Sequence, residues 1–284
     1  MKRHFFGGLL LAGFLGTSLP AQMPDGFLDV FTAKVKMGRR LDFDSINTKM
    51  AEINRKNKGD TWLAYDIVYG DENVVYFISR RTGYSAAEEG IKAFLGSLRA
   101  ALGKPGMQRM LESFDATTDS GHSELRRRRW DLSSCVPRDA AEYAKLVGHA
   151  RYVRVVTVHV RPGRILDFEA QLKMNRELQE KANPDFPSLV SQSVAGQQVG
   201  VYYIANLLPS LADLDKVKPL QQALGESYQR YQHAVAEMVS GVSIYIGRYL
   251  PELSNPPEEI VAVDPKFWRP APTPPAPAKP PEKK

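Results

Sequence analysis

The sequence predicts an α+β protein made of two tandem β-α-β-β-α-β modules. Three observations carry that expectation. Gly38-Arg39-Arg40-Leu41-Asp42-Phe43 recurs 125 residues later as Gly163-Arg164-Ile165-Leu166-Asp167-Phe168. Strand-type and helix-type patterns flank both copies in the same order, which a chance match would not supply. Val75-Tyr76-Phe77-Ile78 then finds its counterpart in Val201-Tyr202-Tyr203-Ile204, at an offset of 126.

The chain opens on a leader. Lys2, Arg3 and His4 precede the uncharged apolar run 5–16, and Leu19-Pro20-Ala21 reads as a small-residue cleavage site. The run is shorter than the roughly 20 residues a membrane span needs, so residues 1–21 are expected to be a signal peptide and the protein periplasmic or secreted. No later segment reaches span length without charges. Cleavage leaves 263 residues, enough for two modest domains.

The first module is expected over 28–133. Phe31, Ala33 and Val35 alternate with Thr32, Lys34 and Lys36, the period of a half-buried strand. Gly38 turns the chain, and Asp42 is placed to cap a helix over 43–57 whose Phe43, Ile46, Met50 and Ile53 share one face. Residues 62–69 and 73–80 are aromatic and β-branched, joined by Gly70-Asp71-Glu72 as a hairpin. A helical region over 86–102 and 106–114 is interrupted by Gly103-Lys104-Pro105, and a strand over 122–132 closes the module.

The second module, 150–254, repeats this order. Val156, Val158 and Val160 alternate with Thr157, His159 and Arg161, Pro162-Gly163 turns, and a helix follows over 168–182 with Asp167 as its cap. The hairpin is 188–195 and 198–206, the helical region 211–238 with a break near 216–219, and the last strand 242–250. Between the modules, 134–149 is a connector with a short helix around 140–146. The stretch 255–284 is expected to be a largely disordered tail, since seven prolines fall in 270–284 and such composition cannot bury a core.

Composition narrows the function. The net charge of +6 drops to +4 once Lys2 and Arg3 leave with the leader. That excess is small, and export separates the chain from chromosomal DNA, so no nucleic-acid partner is expected. The single Cys135 excludes an intramolecular disulfide. His122, His149, His159 and His233 stand in no metal-ligand spacing, and no Gly-x-Ser-x-Gly element is present, so no metal and no covalent catalyst are expected.

The duplicated order, with strand-Gly-Arg-x-Leu-Asp-Phe-helix openings at 30–57 and 156–182, resembles the dimeric α/β-barrel superfamily in its fused, tandem form. The resemblance is topological. It implies two ferredoxin-like modules whose antiparallel sheets pack face to face as an intramolecular barrel, a monomeric pseudo-dimer. Members of that superfamily include cofactor-independent monooxygenases, haem-binding and haem-degrading enzymes, peroxidases, isomerases and proteins without established chemistry. Their ligand pockets lie between sheet and helices or inside the sheet pair.

Candidate ligand-binding residues come from the polar strand faces. Lys34 and Lys36 align with His159 and Arg161; if both faces line the intersheet space, these charges need an acidic ligand, ion pairing with Asp66 or Glu124, or exposure at an edge. His159 beside Arg161 also leaves haem open as an alternative, a surface histidine being the plain reading. In Arg126-Arg127-Arg128-Arg129 the four side chains cannot share one face. Pairing that run with Ile246-Gly247-Arg248-Tyr249 places Ser123, Arg127 and Arg129 on the non-helical side with Ser243, Tyr245 and Tyr249. Arg127 and Arg129 would suit a carboxylate; edge charge against aggregation explains them equally. Tyr65, Tyr69, Tyr76, Tyr202, Tyr203, Tyr245 and Tyr249 would line a cavity for a flat ligand or simply pack the strands.

The leading expectation is therefore an exported, non-catalytic protein that binds a small organic molecule, an anion by the basic residues, in the intersheet space, with no cofactor. The alternatives are a cofactor-independent monooxygenase or haem-dependent enzyme of the superfamily, and a structural or interaction scaffold. Because Lys34 faces His159 and Arg127 faces Gly247 in the alignment, any site is expected to draw on the two modules unequally.

Overall fold

The computed structural model describes residues 23 and 25–270. The expected leader, and the proline-rich stretch beyond 270, lie outside them. Eight strands form one closed antiparallel barrel: β1 (Phe27–Val35), β2 (Leu63–Tyr69), β3 (Val74–Arg81), β4 (Thr118–Arg128), β5 (Tyr152–Val160), β6 (Leu189–Ala195), β7 (Val201–Leu208) and β8 (Val239–Tyr249). The helices are α1 (Arg40–Lys56), α2 (Tyr84–Thr117), α3 (Ala140–Gly148), α4 (Ile165–Ala182), α5 (Leu220–Leu224), α6 (Tyr228–Met238), α7 (Glu258–Val261) and α8 (Pro265–Trp268). Among the described residues, no helix is long and apolar enough to cross a membrane.

The strand order around the barrel is β1-β3-β2-β8-β5-β7-β6-β4. Each half is a four-stranded sheet of one order, β4-β1-β3-β2 or β8-β5-β7-β6, as the β-α-β-β-α-β pattern requires. The halves close into a barrel, as expected. They join edge to edge: Tyr65 pairs Tyr249 and Ile67 pairs Gly247 at one seam, Arg128 pairs Ser191 and Arg126 pairs Ser193 at the other. Edge pairing satisfies the backbone groups that two open sheets would expose, so closure removes all four edges at once.

The repeated Gly-Arg motif makes the same turn twice. Gly38 and Gly163 take φ of 76° and 79°, a conformation that costs other residues strain. Helices then begin at once, with Arg39 and Arg164 at the N-cap positions rather than Asp42 and Asp167. The aspartates fall in the first turn, where they face the partial positive charge of the helix end and pair back to Arg39 at 2.8 Å and Arg164 at 3.2 Å. Phe43 and Phe168, the last residue of each motif, are almost wholly buried, each contributing about 1.5–3 kcal/mol of apolar burial.

Phe43 packs with Ala33, Val35, Val75 and Trp62 on the outer, helix-covered face of the first half. Phe168 does the same with Val158, Val160 and Tyr202 in the second. α2 breaks helical geometry at Gly103 (φ 67°, ψ 170°) ahead of Pro105, so its two arms diverge. The matching region of the second half is a 3-10 turn, α5, a second turn at Gly225 (φ 52°) and α6.

Register corrects two alignments. Lys34 pairs Val74 and His159 pairs Val201, so Tyr76 occupies the place of Tyr203, and Phe77 that of Ile204, one residue away from the match in the sequence. Likewise Val30 pairs Glu124 while Val155 pairs Tyr245, so Glu124, Arg126 and Arg128 occupy the places of Tyr245, Gly247 and Tyr249. A slip of one residue exchanges the faces of a strand. Hence Arg126 and Arg128 point into the barrel, and Ser123, Arg127 and Arg129 do not.

The segment after β8 is also ordered where a disordered tail was expected. Pro251–Leu253 makes a 3-10 turn, α7 buries Ile260 and Val261, and α8 buries Trp268 completely against Tyr249, Val147 and Val153. Trp268 Nε1 donates to Gly148 O at 2.8 Å, and Arg151 pairs with Asp264, tying this segment to α3 and the start of β5. Together α3, α7 and α8 plug one end of the barrel. The aromatic and aliphatic side chains of 260–268 thus outweigh the prolines around them.

Candidate functional site

Two spaces in the fold are lined by functional side chains, one inside the barrel and one between sheet and helices. The barrel interior is crowded. Tyr65 and Tyr76 stack with centroids 4.9 Å apart, Tyr76 and Tyr245 at 5.4 Å, and the Tyr65 and Tyr245 hydroxyls are 2.8 Å apart. Gly247 permits this, because a Cβ there would lie 2.5 Å from the Tyr65 ring. Glu124 accepts from the Tyr203 hydroxyl at 2.8 and 2.9 Å and from Arg126 Nε at 3.0 Å, while the Arg126 guanidinium lies 3.4 Å over the Tyr203 ring.

Electrostatically this interior is a buried network held in one protonation state. Burial pushes the phenols of Tyr65, Tyr76, Tyr203, Tyr245 and Tyr249 above their ordinary range. Burial also works against the charge of Arg126, but Tyr203, Tyr245 and Glu124 outweigh it and hold the guanidinium charged. Toward the plugged end remains a cavity of about 70 Å³ bordered by Arg126, Arg128, Tyr143, Ser191 and Tyr249 among apolar side chains. An organic ligand of ordinary size, at several hundred Å³, has no room there.

The larger space lies outside the first half-sheet. It measures about 420 Å³ and is walled by Phe31 and Phe77 of the sheet, Trp62 ahead of β2, Met50 of α1, and Phe94 and Phe114 of α2. The kink at Gly103 lets both arms of α2 contribute, Ile91, Phe94 and Leu95 from the first and Leu111 and Phe114 from the second. Its rings are edge-on or tilted, with Trp62 5.7 Å from Phe94 and Phe31 6.1 Å from Phe114.

One pole of this pocket is polar. Arg81 donates from both terminal nitrogens to Asp60, at 2.5 and 2.6 Å, and reaches Asp29 at 3.2 Å. Burial disfavours the guanidinium charge, yet the two carboxylates prevail and raise its pKa. Gly90 of α2 makes the room, since a Cβ there would sit 2.4 Å from the guanidinium carbon. Two carboxylates on one cation leave this pole with one negative charge in excess, and Asp29 remains partly exposed beside Ser79 and Ser123.

The residues singled out in the sequence scatter. Tyr245 and Tyr249 stand inside the barrel, and Tyr249 borders the small cavity. Lys34 is on the inward register of β1 but at the end away from α3, its Nζ donating to Glu72 O at 2.5 Å. Lys36 lies past the strand and donates to Ala116 O at 3.1 Å. His159 takes the place of Lys34 in the second half, opposite Val201 and Gly241, and Arg161 is exposed beyond the strand. Arg127 is exposed on the outer face, near Asp25. Arg129 is held outside by Glu169, Asp131 and Gln192.

Sequence reasoning passed over Arg128 and the Asp29, Asp60 and Arg81 group. No histidine lines either space, and Met50 is the one side chain of a haem-ligating type on the larger one. The pocket therefore does not fit a haem. Among the described residues no group of three or more His, Cys, Asp or Glu side chains is placed to hold a metal ion. Burial raises the Cys135 thiol, which sits against Asn183 O, so it is no ready nucleophile.

No family model matches the chain, and no curated protein does. Solved structures do resemble it. A proposed monooxygenase of Fusobacterium nucleatum superimposes with a TM-score of 0.51 at 9% identity, over 80% of this chain and 93% of that one. A proposed chlorite dismutase gives 0.49 at 12%, over 84% and 99%. A haem-binding protein of Thermus thermophilus gives 0.46 at 12%, over 81% and 93%. At these identities the likeness is one of fold: an α+β chain with an eight-stranded closed barrel, the dimeric α/β-barrel architecture.

Proposed function

We propose that this chain, as the single-chain form of the dimeric α/β barrel, binds a small, largely apolar ring compound carrying a hydrogen-bond donor, between the first half-sheet and helices α1 and α2. The observation that carries the reading is the 420 Å³ pocket itself, walled by Phe31, Phe77, Phe94, Phe114 and Trp62 and ending on the Asp29, Arg81 and Asp60 group. Aromatic walls reward a flat apolar molecule. An excess carboxylate at the pole rewards a hydroxyl or amine and repels an acid. The expected organic anion is thus replaced, for this pocket, by a neutral donor. A leader at 1–21, the expectation from its basic start and apolar run, would put such binding in an exported setting.

A second reading rests on the same carboxylate. In a cofactor-independent oxygenase, Asp29 would take the proton of a ring hydroxyl and leave an electron-rich anion to react with dioxygen. Isothermal titration of the full chain with naphthol and with naphthoate separates the possibilities. Naphthol is expected to bind and naphthoate to bind at least tenfold more weakly. Leu95→Trp, which fills the mouth, is expected to abolish both. Equal affinity for the two probes, or binding unchanged by Leu95→Trp, would refute the assignment. Oxygen uptake with bound naphthol, lost in Asp29→Asn, would turn binding into catalysis.

A further inference from the structure

We infer that the cavity inside the barrel is a second site, for a small monovalent carboxylate of one or two carbons held by Arg128. Arg128 is 7% exposed, points inward from the end of β4, and its Nη1 has no hydrogen-bond partner among the described residues. Its other contacts are with rings. The guanidinium carbon lies 5.2 Å from the Trp130 ring, and the neighbouring Tyr143 side chain favours its charge. No carboxylate of the described residues pairs with it. Glu124, the acid of the interior, is engaged by Arg126 and Tyr203.

The surroundings make that charge costly. Burial depresses the Arg128 pKa, and Arg80, whose guanidinium carbon lies 5.1 Å from the centre of the Tyr143 ring, adds a second positive charge. An isolated guanidinium in an apolar enclosure is expected to recruit a counter-ion. A water in the cleft of about 10 Å³ beside Trp130 would satisfy a hydrogen bond but not the charge. The 70 Å³ cavity would do both. With roughly 10–15 Å³ of such space needed per water, it takes a few waters or an anion of three or four heavy atoms. Formate and acetate have that size, offer two oxygens to a planar guanidinium, and present a hydrogen or methyl to Leu63, Ile78, Val153 and Leu207.

The two halves divide this site unequally. Arg128 comes from β4, and its counterpart in the second half is Tyr249, which lines the same cavity from the opposite seam. Ser191, paired with Arg128 across the β4–β6 seam, adds a hydroxyl to the wall.

Thermal unfolding of the full chain tests the site. At constant ionic strength, formate and acetate are expected to raise Tm saturably, while chloride and benzoate, the latter too large, do not. Titration of carbon-labelled acetate should show a bound signal by nuclear magnetic resonance. In Arg128→Met the affinity should fall at least tenfold, and the variant without anion should be no less stable than wild type. Ala205→Leu fills the cavity without touching Arg128 and should abolish the effect even if Arg128→Met does not fold. The assignment is overturned if chloride stabilises as strongly as formate, if neither carboxylate stabilises, or if Ala205→Leu responds like wild type.

Discussion

Removing Glu124 tests the account of the barrel interior most sharply. Glu124 and Arg126 have side chains only 2% and 6% exposed, joined at 2.9 Å, and the Tyr203 hydroxyl gives both its contacts to the same carboxylate. Glu124→Leu keeps most of the volume but leaves Arg126 charged, buried and stacked on Tyr203 without an acid. Breaking a buried pair from one side costs about 3–5 kcal/mol. In a domain this large each kcal/mol moves Tm by about 2–4 °C, so the expected fall is roughly 6–20 °C. The double variant Glu124→Leu/Arg126→Met removes the orphaned charge and is expected to recover most of the loss. What remains would be the unpartnered Tyr203 hydroxyl, worth about 1–3 kcal/mol, and Tyr203→Phe should return it. Calorimetric melts of the four proteins measure the series. If the double variant is as unstable as the single one, the cost is lost packing and not uncompensated charge, and the reasoning fails. A single variant within about 1 kcal/mol of wild type would refute it equally.

Trp268→Ala should cost about 3–5 kcal/mol by denaturant unfolding, because the ring is fully buried against Tyr249 and Val147 and donates to Gly148 O; a loss under about 1 kcal/mol would mean that α8 is no part of the core. Stability should also depend on acid through Glu169. The hydrogen bond from Arg129 holds its carboxyl below the usual range, with burial opposing and Tyr202 assisting. A folded pKa below the unfolded value of about 4.3 means stabilisation that is complete above that pH and lost as pH falls through the folded pKa. Wild type should therefore exceed Glu169→Gln in unfolding free energy near about pH 7, with the gap closing toward about pH 3; a gap independent of pH would sink the linkage.

The order of elements was readable because the strand alternations and the turn glycines are strong, local signals. Phe31, Ala33 and Val35, with Val156, Val158 and Val160, name the helix-covered face without ambiguity. The capping role given to Asp42 and Asp167 failed for a local reason: Arg39 and Arg164 already stand at the cap, and an aspartate one turn on is stabilised by the helix end and by the arginine together. The tail expectation failed over 255–270 because the prolines of 270–284 were allowed to speak for the residues before them. Ile260, Val261, Phe267 and Trp268 carry enough apolar surface to dock, and Glu252-Leu253-Ser254 repeats Asp131-Leu132-Ser133, so the repeat runs past β8. In both copies that serine bonds back, Ser133 to Arg129 O and Ser254 to Leu250 O, and accepts from the first strand of the neighbouring hairpin.

β4 shows why a site can hide in a sequence whose fold does not. Glu124-Leu125-Arg126-Arg127-Arg128-Arg129 is charged on both faces, so hydrophobic alternation hardly sets its register. Leu125 was the one usable signal. Placed toward the helices, it sends Glu124, Arg126 and Arg128 inward together and makes an acid and a base neighbours on one face. The complement sits in the other half, where Tyr245, Gly247 and Tyr249 occupy the same three places. Gly247 yields its volume to Tyr65, Tyr245 stacks on Tyr76, and the first half supplies the charges. A barrel made from two first halves would put four arginines and two glutamates in that space, and one from two second halves would have no charge from these places. The interior as it stands needs both halves, so the divergence between them is what creates an uncompensated Arg128 beside a cavity.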